Sequence, residues 1–412
     1  MRSEDKVETM KNDMYLACCS DSDIAEKAEN GGAVTSLLKF ALEKKWVDAV
    51  VAVKARDGNR YDGVPVLITE PEKVMGCAGS LHCASPNIAQ FLKEYLDGVT
   101  DQKIAVTCKP CDARAIIELA KRNQIYLDNL ILIGLNCTGT MPPARAKRMI
   151  EEEFGINPSD VVGEDIDENK LILRLKDGSE KERDLKELEE KGYGRRDNCR
   201  RCDINIPTMS DLACGKWGAK PNTTFIEVCS ERGSDFIAEA IKAGYIKVER
   251  PDDKAVAARL AMYQAAVKSA QQCQEEDFAD FKQMSIEERF DYWFGMFGKC
   301  IKCFGCRDAC PICYCKDCTL EADRGVVGGG DIPPDVMFPM IRISHVMDSC
   351  VNCGQCQDVC PMELPLSRLI SMLNKELCSI FKHEPGMDVN ALPPMRTTTD
   401  KELTMESAGL VL

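Results

Sequence analysis

Two cysteine runs near the C-terminal end constrain this chain more than any other feature. The first reads Cys300-x-x-Cys303-x-x-Cys306-x-x-x-Cys310-Pro311 and the second Cys350-x-x-Cys353-x-x-Cys356-x-x-x-Cys360-Pro361. So many thiols in so few residues must be gathered by something they all bind. The spacing is that of bacterial-type runs that hold 4Fe–4S clusters, in which the fourth cysteine of each run crosses to the other cluster. One cluster then takes Cys300, Cys303, Cys306 and Cys360, and the other Cys350, Cys353, Cys356 and Cys310. Two intervening residues let successive thiolates curl around neighbouring corners of a cubane. Tetrahedral zinc is the competing reading, but four-thiolate zinc sites are normally assembled from two separated C-x-x-C knuckles.

The stretch between the runs carries Cys313, Cys315 and Cys318, followed by Gly328-Gly329-Gly330. The three thiols are candidates for an extra metal with a fourth ligand from elsewhere; a surface insertion is the plainer reading. The glycines read as a loop rather than a phosphate cradle, because no strand precedes them.

The remaining composition fixes the setting. The chain has 412 residues, 24 of them cysteine, 44% apolar and 29% charged. That is enough for two or three domains with a substantial core. The N-terminal residues are charged and show no secretory h-region, and no apolar run approaches a membrane span. Cysteines in short C-x-x-C spacings suit metal better than a disulfide framework. A reduced, cytoplasmic protein is expected. The formal charge of −14 disfavours nucleic acid as a partner.

From about Met14 to Phe154 the pattern alternates strands and helices. Strands are expected at Val47–Lys54, Val64–Thr69, Lys103–Thr107 and Leu130–Leu135, and helices at Pro86–Leu96, Asp112–Arg122 and Pro143–Phe154. A hairpin follows within Val161–Asp184, turning at Lys176-Asp177-Gly178. Further on come a strand at Phe225–Val228, a helix near Ser234–Ala243, a strand at Tyr245–Val248 and a long helix over Asp252–Gln274. The expected architecture is an α/β domain over 14–250, a helical linker over 251–296, a small α+β ferredoxin domain with two 4Fe–4S clusters over 297–372, and a tail over 373–412.

The α/β part has cysteines of its own. Cys108-Lys109-Pro110-Cys111 ends the Lys103–Thr107 strand, and Cys137 lies just past Leu130–Leu135. Parallel neighbours would bring both to the carboxyl edge of the sheet, where open α/β sheets bind ligands. Cys199-x-x-Cys202 sits in the basic stretch 195–202. Either Cys108 and Cys111 form a redox dithiol, or one of them joins Cys137, Cys199 and Cys202 around a third cluster, which the nearby arginines favour. No G-x-G-x-x-G follows a strand. The small-residue loops present are Asn30-Gly31-Gly32-Ala33-Val34-Thr35-Ser36, opening a helix, then Gly76-Cys77-Ala78-Gly79-Ser80, and Cys137-Thr138-Gly139-Thr140. Glycines at a helix start let backbone N–H groups approach a phosphate.

These segments resemble a known family. Gly31–Leu38, Gly79-Ser80, Lys109-Pro110-Cys111-Asp112, Leu135-Asn136-Cys137-Thr138-Gly139-Thr140, and Cys199-x-x-Cys202 with Asp211-Leu212-Ala213-Cys214-Gly215-Lys216-Trp217-Gly218 occur in order. They look like the β subunits of coenzyme F420-reducing hydrogenases and F420-dependent formate dehydrogenases of methanogenic archaea, over about residues 14 to 250. The appended double-cluster domain resembles the formate dehydrogenase branch.

The resemblance implies an FAD, a third 4Fe–4S cluster held by Cys111, Cys137, Cys199 and Cys202, and coenzyme F420 as substrate. It also implies a flavin-type fold for the α/β domain, with Gly31, Gly32, Thr35, Ser36, Gly79, Ser80, Lys109, Gly139, Thr140 and Lys216 at the organic cofactors. Arg114 and Arg145 are further candidates for their anionic groups. No side chain is expected to be catalytic, since the flavin carries the hydride. The implied partner is a formate-oxidising subunit with a molybdenum or tungsten pterin. An iron–sulfur wire to a heterodisulfide reductase, or the β subunit of another F420-dependent enzyme, is the alternative.

Overall fold

The computed structural model describes residues 9–83, 86–167, 169–315, 317–324 and 336–394. The chain forms two compact units. One takes in the residues up to Ala113 and Tyr126–Glu276, the other Arg114–Ile125 and the residues from Asp277 on.

The first unit holds eleven strands: β1 (Met14–Cys19), β2 (Ala49–Arg56), β3 (Asn59–Ile68), β4 (Ile104–Cys108), β5 (Leu130–Leu135), β6 (Val161–Asp167), β7 (Lys170–Leu175), β8 (Glu180–Asp184), β9 (Leu212–Gly215), β10 (Thr224–Val228) and β11 (Ile246–Glu249). Eight of them make one sheet in the order β11-β1-β10-β9-β5-β4-β2-β3. Its middle is parallel: β2 pairs β4, β4 pairs β5 with Ile104 opposite Leu130, and β5 pairs β9. Antiparallel pairs flank it on both sides. β4 is buried at every residue, as expected of a parallel strand covered on both faces.

The helix Ala33–Glu43 lays Leu37, Leu38, Phe40 and Ala41 on the sheet, and Glu231–Lys242 adds Phe236, Ile237 and Ala240 to the same core. Ser230 caps the second helix by accepting from the Gly233 N–H at 2.9 Å. Phe40, Trp46, Phe236 and Tyr245 meet with ring centroids 5.3–6.2 Å apart. Each such side chain contributes about 1.5–3 kcal/mol of burial.

The structure departs from the sequence reading in five places. β1 (MYLACC) and β9 (LACG) are strands without an alternating or β-branched signature; β9 is held by its neighbours β5 and β10. The expected hairpin is a three-stranded sheet β6-β7-β8. Its last strand, Glu-Lys-Glu-Arg-Asp, has no apolar face and exists by pairing alone. The long helix runs on to Gln283, because nothing stops it before Ser285 caps the next helix, Ile286–Phe297, through a capping box with Glu288.

The linker is therefore two helices, and the division between units falls inside the first of them. The second unit, expected to be α+β, shows helices and ligand loops but no strand among the described residues. Its two cysteine runs commit their backbone to tight turns around thiols rather than to a ladder.

The expected tail also gains structure. Leu366–Phe381 is a helix with Leu366 and Ile370 buried. After it, Arg114 donates to the Pro385 carbonyl at 2.6 Å and pairs with Glu384 at 2.7 Å, while Gly386 N–H donates to Glu118. Gly328–Gly330 and the polar run 396–402 lie outside the described residues. Among the described residues no helix is long and apolar enough to cross a membrane.

Candidate redox site

Because β2, β4, β5 and β9 are parallel, their carboxyl ends meet at one edge of the sheet. There they deliver Ala52 and Val53, Thr107 and Lys109, Leu135 to Thr140, and Cys214 to Trp217 to a cavity of about 280 Å³. The loops Ala28–Thr35 and Gly79–His82 close its other sides. Of the residues expected at an organic cofactor, Gly32, Thr35, Gly79, Ser80, Lys109, Gly139, Thr140 and Lys216 line this cavity.

Gly31 and Ser36 do not. Gly31 is packed beneath, where a Cβ would stand 2.7 Å from the Asn222 carbonyl, and the buried Ser36 hydroxyl donates to the Tyr245 carbonyl at 2.8 Å. Arg114 is engaged with Glu384, and Arg145 lies outside the lining.

Both lining lysines have counter-ions, as buried cations require. Lys109 Nζ is 2.6 Å from the Asp112 carboxylate and donates to the Pro86 carbonyl at 3.1 Å. Lys216 Nζ meets both oxygens of Asp165 at 2.9 Å and Asp167 at 3.3 Å. Asp112 is buried and also accepts from the Lys109 and Ile88 backbone N–H groups, so it fixes the strand-to-helix turn.

Asn136 is the lining residue that sequence reasoning missed. Both polar ends of its amide are buried and meet no partner among the described residues. Gly215 lets it sit there, since a Cβ would come within 2.5 Å of the amide nitrogen. A buried amide left unpaired costs about 1–3 kcal/mol per group. The cavity therefore fits a ligand that both donates and accepts, as the edge of a flavin ring does. In the sequence Asn136 reads only as a turn residue after a strand.

The third cysteine group adjoins this cavity. Cys111 stands in the first turn of the helix Pro110–Ala120, where the helix dipole favours a thiolate. Lys109 lies in the electrostatic field of Cys111 and Cys137, and Cys137 in that of Cys199 and Cys202. Cys108 is different: it is the buried last residue of β4, its thiol lies 3.7 Å from the Ser210 hydroxyl, and burial pushes its pKa up. It is a core thiol.

The 195–202 segment is pinned over the Cys137 loop. The Cys137 N–H donates to the Asn205 carbonyl and the Asn205 amide donates back to the Cys137 carbonyl, both at 2.9 Å. Arg196 N–H donates to the Thr140 carbonyl at 2.9 Å, and Thr140 Oγ1 is 3.8 Å from Cys199 Sγ. Gly139, at φ +121°, makes this closeness possible: a Cβ would strike Arg195 at 2.5 Å. Glu189 balances the basic stretch by pairing with Arg195 at 2.6 Å and Arg200 at 3.5 Å.

In the second unit the two runs fold alike. Lys302 and Asn352 both adopt positive φ, and their N–H groups point at Cys300 and Cys350 Sγ, each at 3.4 Å. Short helices follow at Gly305–Asp308 and Gln355–Asp358. Cys300, Cys303, Cys306 and Cys360 line one small apolar cavity. Cys310 is the electrostatic neighbour of Cys350 and Cys356, which also faces Cys353.

Of the C-x-C-x-x-C thiols, Cys313 leans on Cys310, Cys315 is exposed and Cys318 packs beside Leu320 and Phe338. Among the described residues no three His, Cys, Asp or Glu side chains converge on a single ion; thiols that grip the corners of a cubane stand farther apart than ligands of one ion.

A cavity lined by the Cys137 loop, with two cysteine runs elsewhere in the chain, is the arrangement of an iron–sulfur redox protein. Comparison with known proteins makes this specific. Residues 14–91 and 101–254 match the N-terminal and C-terminal models of the coenzyme F420 hydrogenase/dehydrogenase beta subunit, and residues 296–364 match a 4Fe-4S dicluster domain.

The chain is 48% identical to the F420-dependent formate dehydrogenase subunit beta of Methanocaldococcus jannaschii, over 92% of this chain and 98% of that one. It is 45% identical to the F420-dependent formate dehydrogenase 1 subunit beta of Methanococcus maripaludis, over 94% and 98%. A chain of the F420-reducing [NiFe] hydrogenase complex from Methanosarcina barkeri shares the fold with a TM-score of 0.57 at 18% identity, over 66% of this chain and 93% of that chain. The protein belongs to the family of coenzyme F420 hydrogenase/dehydrogenase β subunits.

Proposed function

We propose that this chain is the electron-transferring, F420-reducing β subunit of a formate dehydrogenase. It takes electrons released by formate oxidation in a separate molybdenum- or tungsten-pterin subunit, in the cytoplasm, and exchanges them reversibly with coenzyme F420. The observation that carries this reading is that a single loop, residues 136–140, lines the cavity at the sheet edge and also carries Cys137, whose electrostatic neighbours are Cys199 and Cys202. A subunit that only conducted electrons would need no such cavity. The length over which the chain matches formate dehydrogenase β subunits, dicluster region included, favours formate over hydrogen as the partner's substrate.

Cys111, Cys137, Cys199 and Cys202 would hold one 4Fe–4S cluster and the two crossed groups the others. FAD would occupy the cavity, where it supplies the exchange between single electrons and a hydride. Asn136 would offer it both ends of its amide. Gly32, Thr35, Gly79 and Ser80, also in the lining, would offer backbone and hydroxyl groups. Lys109 and Lys216, fixed by Asp112 and Asp165, set the charge of the lining. Gly139 and Thr140 keep the Cys199 loop closed over the thiols.

Anaerobically reconstituted protein is expected to hold about twelve irons, four per cubane, together with one FAD, and to reduce coenzyme F420 from a chemical donor. An iron count near eight removes the third cluster. Protein without flavin that reduces no coenzyme F420 overturns the assignment.

A further inference from the structure

The stretch between the two cysteine runs contributes a buried cation. Arg342 lies on the helix Met337–Val346 and is 2% exposed. Its Nη2 donates to the Cys306 carbonyl at 2.7 Å. Its Nε and Nη1 are buried and meet no hydrogen-bond acceptor among the described residues. The guanidinium lines the cavity of Cys300, Cys303, Cys306 and Cys360, and its electrostatic neighbours are the sulfurs of Cys310, Cys356, Cys313 and Cys306. Its electrostatic neighbours thus include thiols of both proposed groups, and among the described residues no carboxylate forms an ion pair with it.

A buried guanidinium with two nitrogens left without an acceptor calls for an anion that accepts hydrogen bonds. Thiolate-ligated cubanes are such anions, and their sulfur atoms are acceptors. We propose that Arg342 is a shared tuning residue for the two ferredoxin clusters, raising the reduction potential of both through its charge and its N–H groups. This rests on the cluster reading above. Each cubane takes up one electron and Arg342 exchanges none. Its positive charge, fixed in a region of low dielectric, favours the more negative, reduced form of each cluster. It also weakens the repulsion between two electrons held on adjacent clusters, so both can be loaded.

The experiment is an EPR-monitored redox titration of the full, iron-loaded chain, comparing the parent with Arg342→Met and Arg342→Lys. With iron content unchanged, both ferredoxin signals are expected to titrate at lower potential in Arg342→Met. A tenfold shift in each reduction equilibrium corresponds to about 59 mV for one electron. Arg342→Lys, which keeps the charge but not the planar fork of donors, is expected to lie between. Unchanged potentials at full iron content overturn the proposal. Should Arg342→Met lose iron, Arg342→Gln decides: potentials below the parent's support the proposal, while parental potentials, or loss of iron again, assign Arg342 a structural role only. A parent protein without cubane signals would overturn the cluster reading itself, whatever the variants do.

Discussion

The two units of this chain assemble redox sites in opposite ways. In the second, each proposed thiol group takes three members from one short run and the fourth from the other, and the two runs repeat one local turn. In the first, the four proposed thiols come from three separate segments, and the loop that carries Cys137 also lines the cavity proposed for the flavin. Damage to a ferredoxin run should stay with the clusters it serves. Damage to the 136–140 loop should reach both kinds of cofactor.

The sharpest way to break this contrast is Cys137→Ala. Iron is expected to fall by about four per chain, F420 reduction to be abolished, and both ferredoxin EPR signals to persist. If all three clusters survive, or if a ferredoxin signal disappears instead, the first unit's thiol group is misassigned.

Crossing of the fourth ligand is tested next. Cys360→Ala and Cys303→Ala lie in different runs but face the same cavity. Both are expected to remove the same one of the two ferredoxin signals, and Cys310→Ala the other. Cys360→Ala removing the signal that depends on Cys353 would mean that each run keeps its own cluster.

The same contrast explains what was legible in the sequence. Cysteine spacing made the second unit's two matching turns legible, because all the geometry of one turn lies within one run. Leu130–Leu135 and Pro143–Phe154 were readable to the residue: an unbroken apolar stretch, then a helix opened by proline and stopped by Gly155 at φ +64°. β8, five charged residues, carries no pattern and exists only through β7. Arg342 was invisible for a related reason, and Asn136, although inside a quoted motif, was given no role: burial beside distant segments is what makes both unusual. The membership of Arg114–Ile125 in the second unit is likewise a long-range fact, set by partners at 383–386.

Asn136→Leu sharpens the comparison further, with a smaller effect. The substitution removes two buried unpaired groups, so flavin-free protein should not lose thermal stability. It also removes both hydrogen bonds offered to the ring, at about 1–3 kcal/mol, so FAD affinity should fall roughly 5- to 150-fold. Flavin titration monitored by fluorescence, with thermal melts of the apo form, reads both. Equal affinity would show that the amide does not face the flavin; a destabilised apo form would show that it has a structural partner.

The smallest expected effect concerns the second unit's hold on its mid-chain segment. Glu118 is fully buried, with Lys121 Nζ and Arg122 Nη1 each at 2.7 Å, and it accepts from the Gly386 N–H at 2.7 Å. Burial pushes its carboxyl up, but the hydrogen bonds and charges of Lys121 and Arg122 outweigh this and hold it below the ordinary glutamate range. A carboxyl depressed in the folded state contributes stability that is complete above the unfolded value, about 4.3, and disappears as pH falls through the folded one. His383, 3.9 Å away, is held below its own ordinary range by burial and by Lys121, so charging it on acidification acts in the same direction. The amide of Gly386 should therefore lose hydrogen-exchange protection on acidification, while amides of β4 and β5 in the first unit keep theirs. In Glu118→Gln the protection at Gly386 should start lower and depend less on acid, leaving only the contribution of His383. Protection at Gly386 that is insensitive to pH in the parent protein would show that this carboxylate does not hold the 383–386 segment, and that the Arg114 contacts to Glu384 and Pro385 suffice.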